Sequence, residues 1–353
     1  MSGVFTYANP PVIRWGAGSL AELGTEVSRL GGSRVAVVTT RSLTTGAASI
    51  LALPDAIVAT AVIGQHAPIG EVGRAADEIA EAGADILVSL GGGSPIDAAK
   101  VIGRLVADRS AGSGRSIPHI AVPTTLSVAE LASGAGVTDT SGDKVGRRDP
   151  RMLPDAVIYD GRLALRTPIE LWLSTGIRAL DHAIESYLAP GEHPLSDVLA
   201  LEAVRRLFAT LPRAKAEPSD ASVRTENQLA AWFSYTLTGP TAGGLSHTMG
   251  KQIGARHGIA HGVTSCLLLP HAMRYQAGRQ PQRQRLDELS RATGSGGGAL
   301  AAAEDVQRLV RDLGLPQHIA DFGIGEPELR AAAEALQGQA PAADLLKIYL
   351  AAL

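Results

Sequence analysis

Residues 86–107 read ILVSLGGGSPIDAAKVIGRLVA, and this stretch decides the fold. Ile86–Leu90 is a short, mostly apolar run stopped by glycine, the pattern of a buried strand. Gly91, Gly92 and Gly93 follow at once, and Ser94 and Pro95 open a helix. Consecutive glycines let backbone N–H groups approach a pyrophosphate without obstruction from Cβ, and a helix start adds partial positive charge. Pro95 suits the first helical turn, where its missing N–H costs nothing. Ser94 as a cap and Asp97 in the first turn also have a purely helix-stabilising reading. The run is neither GxGxxG nor a P-loop ending in GK[ST], so the strand–glycine–helix context carries the nucleotide-binding expectation.

Outward from this unit, residues 1–160 alternate strand-like runs with helical patterns, which predicts βαβ units and a parallel sheet. Strands are expected at Val12–Trp15, Arg34–Thr39, Ile57–Ile63, Ile117–Val122 and Val157–Tyr159, with a helix at Val72–Ala82. From Pro168 onward helical patterns dominate: Trp172–Leu188, Pro194–Leu211, Ser222–Leu237, Leu245–Ile253, Leu286–Ala292, Ala301–Leu313, Glu326–Leu336 and Ala343–Ala351. The expected fold is an α/β, Rossmann-like dinucleotide-binding domain over residues 1–162 and an all-α domain over 163–353. Pro123-Thr124-Thr125 closes the expected fifth strand, where hydroxyls either reach phosphates at the sheet's carboxyl edge or cap a turn.

A chain of 353 residues exceeds the usual single core, which agrees with two domains. A net charge of −3 without a basic block argues against nucleic acid. The lone cysteine, Cys266, excludes an internal disulfide and a cysteine-based zinc site. No apolar run reaches membrane-spanning length, and MSGVFTYANPP lacks a charged start followed by an apolar core. The expectation is a cytoplasmic protein with no membrane partner, and a homodimer.

The chemistry concentrates in Gly243–Tyr275, GGLSHTMGKQIGARHGIAHGVTSCLLLPHAMRY, which holds four of the nine histidines. His247 and Lys251 lie one helical turn apart on one face. His261 is fourteen residues after His247, ~21 Å along a straight helix, so the two converge only if the chain turns back. Gly250, Gly254, Gly258 and Gly262 offer places for it.

Several motifs jointly resemble the iron-containing (group III) alcohol dehydrogenase superfamily: RWGAGSL, GGGSPIDAAK, PTT at 123–125, TGIRALDHAIESY, and His247–His261–LLLPHAMRY. The closest resemblance is to maleylacetate reductases, supported by GQHAPIGEV at 64–72 and GRRDPRMLPDAVIYD at 146–160. Arg147, Arg148 and Arg151 in the latter suit an anion or form a solvated basic turn. The resemblance implies a dehydroquinate synthase-like architecture and a nicotinamide cofactor, NAD(P)H. It places Gly91, Gly92, Gly93, Ser94, Asp97, Thr124 and Thr125 at cofactor-binding positions. NAD-preferring members often carry an acid after the second strand. Here that place holds Thr40, followed by Arg41, which suits a 2′-phosphate.

Metal-dependent members hold Fe or Zn with one Asp and three His. By resemblance His182, His247 and His261 keep three ligand positions, while Arg178 stands at the Asp position. Arginine has no lone pair to give, and a divalent ion roughly 4–5 Å from it is repelled by several kcal/mol. The expectation is a site in which Arg178 replaces the ion, holding a carboxylate or polarising a carbonyl. The alternative for Arg178 is a helix ion pair with Asp181. Lys251 stands where such members have a further His, and serves as proton donor or carboxylate anchor. Arg178, His182, His247, Lys251 and His261 are thus the candidate catalytic residues of a reductase acting on a small anionic substrate. Two alternatives stay open: a metal-dependent alcohol dehydrogenase rebuilt around Asp181, and a non-redox lyase on the same fold.

Overall fold

A computed structural model describes residues 9–109, 117–141, 144–191, 193–235, 243–336 and 338–353. Residues 1–8, on which the reading of the N-terminus rests, and 236–237, the end of one expected helix, lie outside the described residues. The chain divides into two compact units, one ending at Thr167 and the other beginning at Pro168.

In the first unit the strands β1 (Ile13–Trp15), β2 (Val35–Thr39), β3 (Ile57–Val62), β4 (Ile86–Gly91), β5 (His119–Pro123) and β8 (Ala156–Tyr159) form one parallel sheet in the order β1-β8-β5-β4-β2-β3. Strands β2, β4 and β5 are buried along their whole length, which is why they read as apolar runs without alternation. Successive side chains face opposite layers. Ala36, Val38 and Leu87 pack on helices α4 (Ile69–Glu81) and α5 (Gly93–Arg109). Val35, Val37, Ile86, Val88 and Leu90 pack against Leu23 and Val27 of α1 (Leu23–Arg29), Leu51 of α3 (Ala47–Leu51), and Leu163 of α6 (Gly161–Ala164). Each such Val, Ile or Leu contributes roughly 1.5–3 kcal/mol of burial. The short α2 (Arg41–Thr44) follows β2.

The chain runs outward from β2 to β3, then returns to β4 on the other side of β2. The order of strands therefore reverses beside the carboxyl ends of β2 and β4, the place where open parallel sheets bind ligands. An antiparallel hairpin of β6 (Gly134–Thr138) and β7 (Lys144–Arg148) was not expected from the sequence. Its glycines and half-exposed residues give no apolar run.

The second unit is helical: α7 (Ile169–Leu188), α8 (Pro194–Ala216), α9 (Ala221–Ser234), α10 (Leu245–His257), α11 (His261–Ala277), α12 (Gln282–Thr293), α13 (Ala299–Asp312), α14 (Glu326–Ala335) and α15 (Ala342–Ala351). Trp172 is fully buried, and its indole N–H donates to Asn227 Oδ1 of α9. Met249, Ile253, Leu267 and Leu268 of α10 and α11 join Leu329, Leu345 and Tyr349 in one apolar cluster. No helix among the described residues is long and apolar enough to cross a membrane.

Candidate active site

The glycine turn stands at the carboxyl end of β4. Gly91 adopts φ +144°, and a Cβ there would come within 2.7 Å of Pro95 Cγ, so only glycine fits without strain. Thr40 of the β2 end borders the same glycine, its Cγ2 3.7 Å from where a Cβ would stand. On the other side, a Cβ on Gly92 would meet Thr125 at 3.1 Å. The Thr125 hydroxyl is buried without a hydrogen-bond partner. The Thr124 amide donates to Gly91 O, and its carbonyl accepts from the Thr167 hydroxyl, which locks the end of β5 to that of β4.

Ser94 and Asp97 do not cap α5. Ser94 Oγ accepts from the His66 amide at 3.0 Å and ties the β3–α4 loop to the turn. Asp97 Oδ2 accepts from the Gly136 amide in β6, and Oδ1 pairs with Lys100 Nζ at 3.4 Å. Lys100 is buried and also donates to the carbonyls of Ala129 and Gly134, at 2.5 and 2.8 Å. Arg41 is exposed at the start of α2. Arg147 and Arg148 are exposed on β7, while Arg151 pairs with Asp149 at 2.6 Å.

The second group of residues gathers where α7, α10 and α11 meet. The expected reversal of the chain occurs: α10 ends at Gly258, in the left-handed region at φ +66°, and His261 opens α11. A Cβ on Gly262 would lie 2.7 Å from Ser174 O, so α11 crosses the backbone of α7 in direct contact. A Cβ on Gly250 would lie 2.8 Å from Thr264 Oγ1, so α10 packs against the Thr264 side chain of α11 with no room for a methyl group.

Within this frame the His182 and His247 ring centroids are 5.5 Å apart, and Tyr235 meets His182 edge-on at 5.2 Å. Arg178, 7% exposed, has three partners. Its Nη1 donates to Asp181 Oδ2 at 3.2 Å and to Ser265 Oγ at 3.1 Å, and its Nη2 lies against His247 Nδ1. The helix ion pair, one of the two alternatives for Arg178 in the sequence, is formed, and the guanidinium also lies against the histidine.

Burial pushes His182 well below the usual histidine range, helped by the charges of Arg178 and Lys251. Burial likewise depresses His247, with Arg178, His182, Lys251 and His261 adding to it. Arg178, His182, Lys251 and His261 thus all lie within electrostatic reach of His247. Lys251 is exposed on α10, and His257, in the last turn of that helix, is exposed too. His271 packs within α11, where burial lowers it to about 4.

Three residues here escaped the sequence reading. Ser246 and Ser265 donate to Asp181 Oδ2 at 3.2 and 2.6 Å. The Glu185 carboxylate accepts from the Gly244 and His247 amides and so fixes the first turn of α10. Burial pushes Asp181 up, against Arg178 and the two serines; burial and the Asp181 charge push Glu185 well up. The legible signal for Glu185 was its place seven residues after Arg178, on the same helix face.

Residues 10–161 match the family described as iron-containing alcohol dehydrogenase, and residues 172–345 match the C-terminal part of the Fe-containing alcohol dehydrogenase family. A maleylacetate reductase of Rhizobium sp. (strain MTP-10005) is 31% identical over 334 residues, covering 94% of this chain and 90% of the relative. The chain belongs to the iron-containing alcohol dehydrogenase family. A maleylacetate reductase of Burkholderia cepacia is 30% identical, covering 95% of this chain and 91% of that protein. The crystal structure of the Rhizobium sp. strain MTP-10005 maleylacetate reductase superposes with a TM-score of 0.85 at 28% identity, covering 100% of this chain and 99% of that one. Members of this family are oxidoreductases, and the chain is an enzyme of that class.

Proposed function

We propose that the chain is a NAD(P)H-dependent reductase of a small carboxylated carbonyl or enone compound such as maleylacetate, and that fixed cations stand where other members hold an ion. Arg178 carries this reading. Its guanidinium stays charged, has no lone pair, and lies against His247 while paired to Asp181. No group of three His, Cys, Asp or Glu among the described residues could hold a metal. The residues present do not fit a divalent ion.

The dinucleotide does fit. Glycines that leave room at the α5 N-terminus, with an unpartnered threonine hydroxyl beside them, suit an anion that only accepts hydrogen bonds. The bound nicotinamide supplies hydride to the substrate. Arg178 and Lys251 hold the substrate carboxylate and draw electron density onto the carbonyl oxygen. With Nδ1 of His247 accepting from Arg178, the neutral ring carries its proton on Nε2. His182 and His247 stay neutral because burial and the nearby cations disfavour imidazolium. Lys251 then gives a proton to the developing alkoxide or enolate. Thr40 and Arg41 offer no acid against a 2′-phosphate, which supports use of NADPH as well as NADH.

Protein purified without chelator should carry no stoichiometric metal and should keep maleylacetate-reducing activity within about twofold after EDTA. Loss of activity on chelation, restored by Fe²⁺ or Zn²⁺, would sink the metal-free reading.

A further inference from the structure

We infer that Glu185 is the positioning residue for His247: reaching across from α7, it caps α10 in place of that helix's own side chains and so seats the imidazole against Arg178. Only the kinetic part of the test below rests on the reductase reading above. Helix α10 starts without a cap of its own, because its N-cap residue is Gly244. In a capping box the N-cap side chain accepts from the amide three residues on, and the side chain of that third residue accepts from the N-cap amide. The third residue here is His247, and its ring is turned to Arg178 instead. Glu185 fills both roles at once. Its Oε2 accepts from the Gly244 amide at 2.9 Å, and its Oε1 accepts from the His247 amide at 3.2 Å. The carboxylate also suits the positive end of the helix dipole. The His247 side chain is thereby released from capping.

The two glycines before α10 make room for this arrangement. A Cβ on Gly244 would overlap the Glu185 carboxyl, which could move aside only by releasing both amides. A Cβ on Gly243 would stand 3.2 Å from Cδ2 of His247, so the ring lies close against bare main chain. The ring and the amide of His247 are held from one helix. Glu185 follows Arg178 by seven residues, two turns and ~10.5 Å along one face of α7. His182, three residues before Glu185 on that helix, faces the His247 ring at 5.5 Å. Both ends of His247 are thus referred to a single rigid element. Loss of one end lets the ring drift, and a displacement of ~1 Å at a reacting site costs roughly a hundredfold in rate.

The test compares wild type with Glu185→Ala, Glu185→Gln and a double variant that combines Glu185→Ala with Gly244→Ser. Gly244 sits at φ −73°, ψ −166°, extended backbone that serine adopts, and a serine there caps the His247 amide from α10 itself once the carboxylate is gone. With NADPH and maleylacetate, kcat/KM should fall ~100-fold in Glu185→Ala and about tenfold in Glu185→Gln, whose amide nitrogen faces one of the two N–H groups. NADPH affinity should stay within about twofold, and the double variant should return to within about tenfold of wild type. In protein carrying isotope-labelled histidine, the His247 ring signal, assigned by its loss in His247→Gln, should shift in Glu185→Ala and return in the double variant. Should Glu185→Ala not fold, Glu185→Gln carries the same comparison of rate and ring signal. A folded Glu185→Ala with an unshifted His247 signal, or with kcat/KM within about threefold of wild type, would overturn the assignment. So would a double variant whose melting temperature recovers while its activity and ring signal do not, since the carboxylate would then act otherwise than through the first turn of α10. If wild type reduces no maleylacetate, the function proposed above fails, and the ring signal alone decides the place of Glu185.

Discussion

At the end of β4 the chain leaves side chains out, whereas at the meeting of α7, α10 and α11 it crowds charged ones together. The first region exposes backbone through Gly91, Gly92 and Gly93 and surrounds it with neutral hydroxyls. The second places Arg178, His182, His247, Lys251 and His261 within electrostatic reach of one another and tethers the cation with Asp181, Ser246 and Ser265. Both regions suit anions, by different means. In the function proposed above, one relies on oriented dipoles that any phosphate satisfies, and the other on net charge that selects the substrate. Recognition in the first should fail when space is filled, and in the second when charge is removed.

The sharpest way to break this contrast is Arg178→Met. It removes the central cation and leaves Asp181 buried without its ion-pair partner, so kcat/KM should fall ~10³-fold while NAD(P)H affinity moves little. Steady-state kinetics beside a nucleotide titration would show it. Activity within about tenfold of wild type would mean that the charge does not serve the reaction.

Gly91→Ala attacks the other region. With φ at +144° and Pro95 Cγ 2.7 Å from the added carbon, nucleotide affinity should drop ~30-fold or more, with substrate recognition unchanged. A normal nucleotide Kd in this variant would refute the cradle. Arg41→Asp has a smaller expected effect, a shift of about tenfold in kcat/KM from NADPH toward NADH, since an acid there repels a 2′-phosphate and accepts from ribose hydroxyls. An unchanged ratio of the two rates would remove Arg41 from the cofactor site.

The smallest effect concerns Glu130, behind the cradle. It is buried, accepts from the Tyr159 hydroxyl at 2.7 Å, and is pushed up to about 7 by burial. A carboxyl whose folded-state pKa lies above its unfolded value holds its proton more tightly when folded. Stability therefore falls as pH rises from the unfolded value near 4.5 to about 7, and the loss is complete above that. Glu130→Gln should melt ~3–6 °C higher than wild type at pH 8 and at the same temperature near pH 4. An equal difference at both pH values would show that ionisation is not its source.

The two regions also differed in how far the sequence disclosed them. The strand, three glycines and proline of residues 86–95 were legible because a backbone that must approach a ligand restricts composition locally. The parallel strands were legible for a related reason, since burial on both faces leaves little room for polar residues. The β6–β7 hairpin was not, because GAGVT carries neither an apolar run nor clear alternation. In the helical unit, residue types and spacings pointed to the histidines and Lys251, and family resemblance said that His247 and His261 converge. The pairing of Arg178 with His247 spans 69 residues, and no local pattern encodes which of two partners a guanidinium takes. Ser94 and Asp97 show the same limit, since their partners lie in the β3–α4 loop and in β6 rather than in their own helix.

The contact at Gly262 has an evolutionary consequence. Because α11 meets the backbone of Ser174 and Thr175 with no room for a methyl group, the framework around the histidines is set by main chain against main chain. Its contents can therefore be exchanged, an acid for an arginine or an imidazole for a lysine, while the walls stay where they are. On the metal-free reading proposed above, a lineage built this way would move between ion-dependent and ion-free chemistry by single substitutions, without passing through an unfolded ancestor.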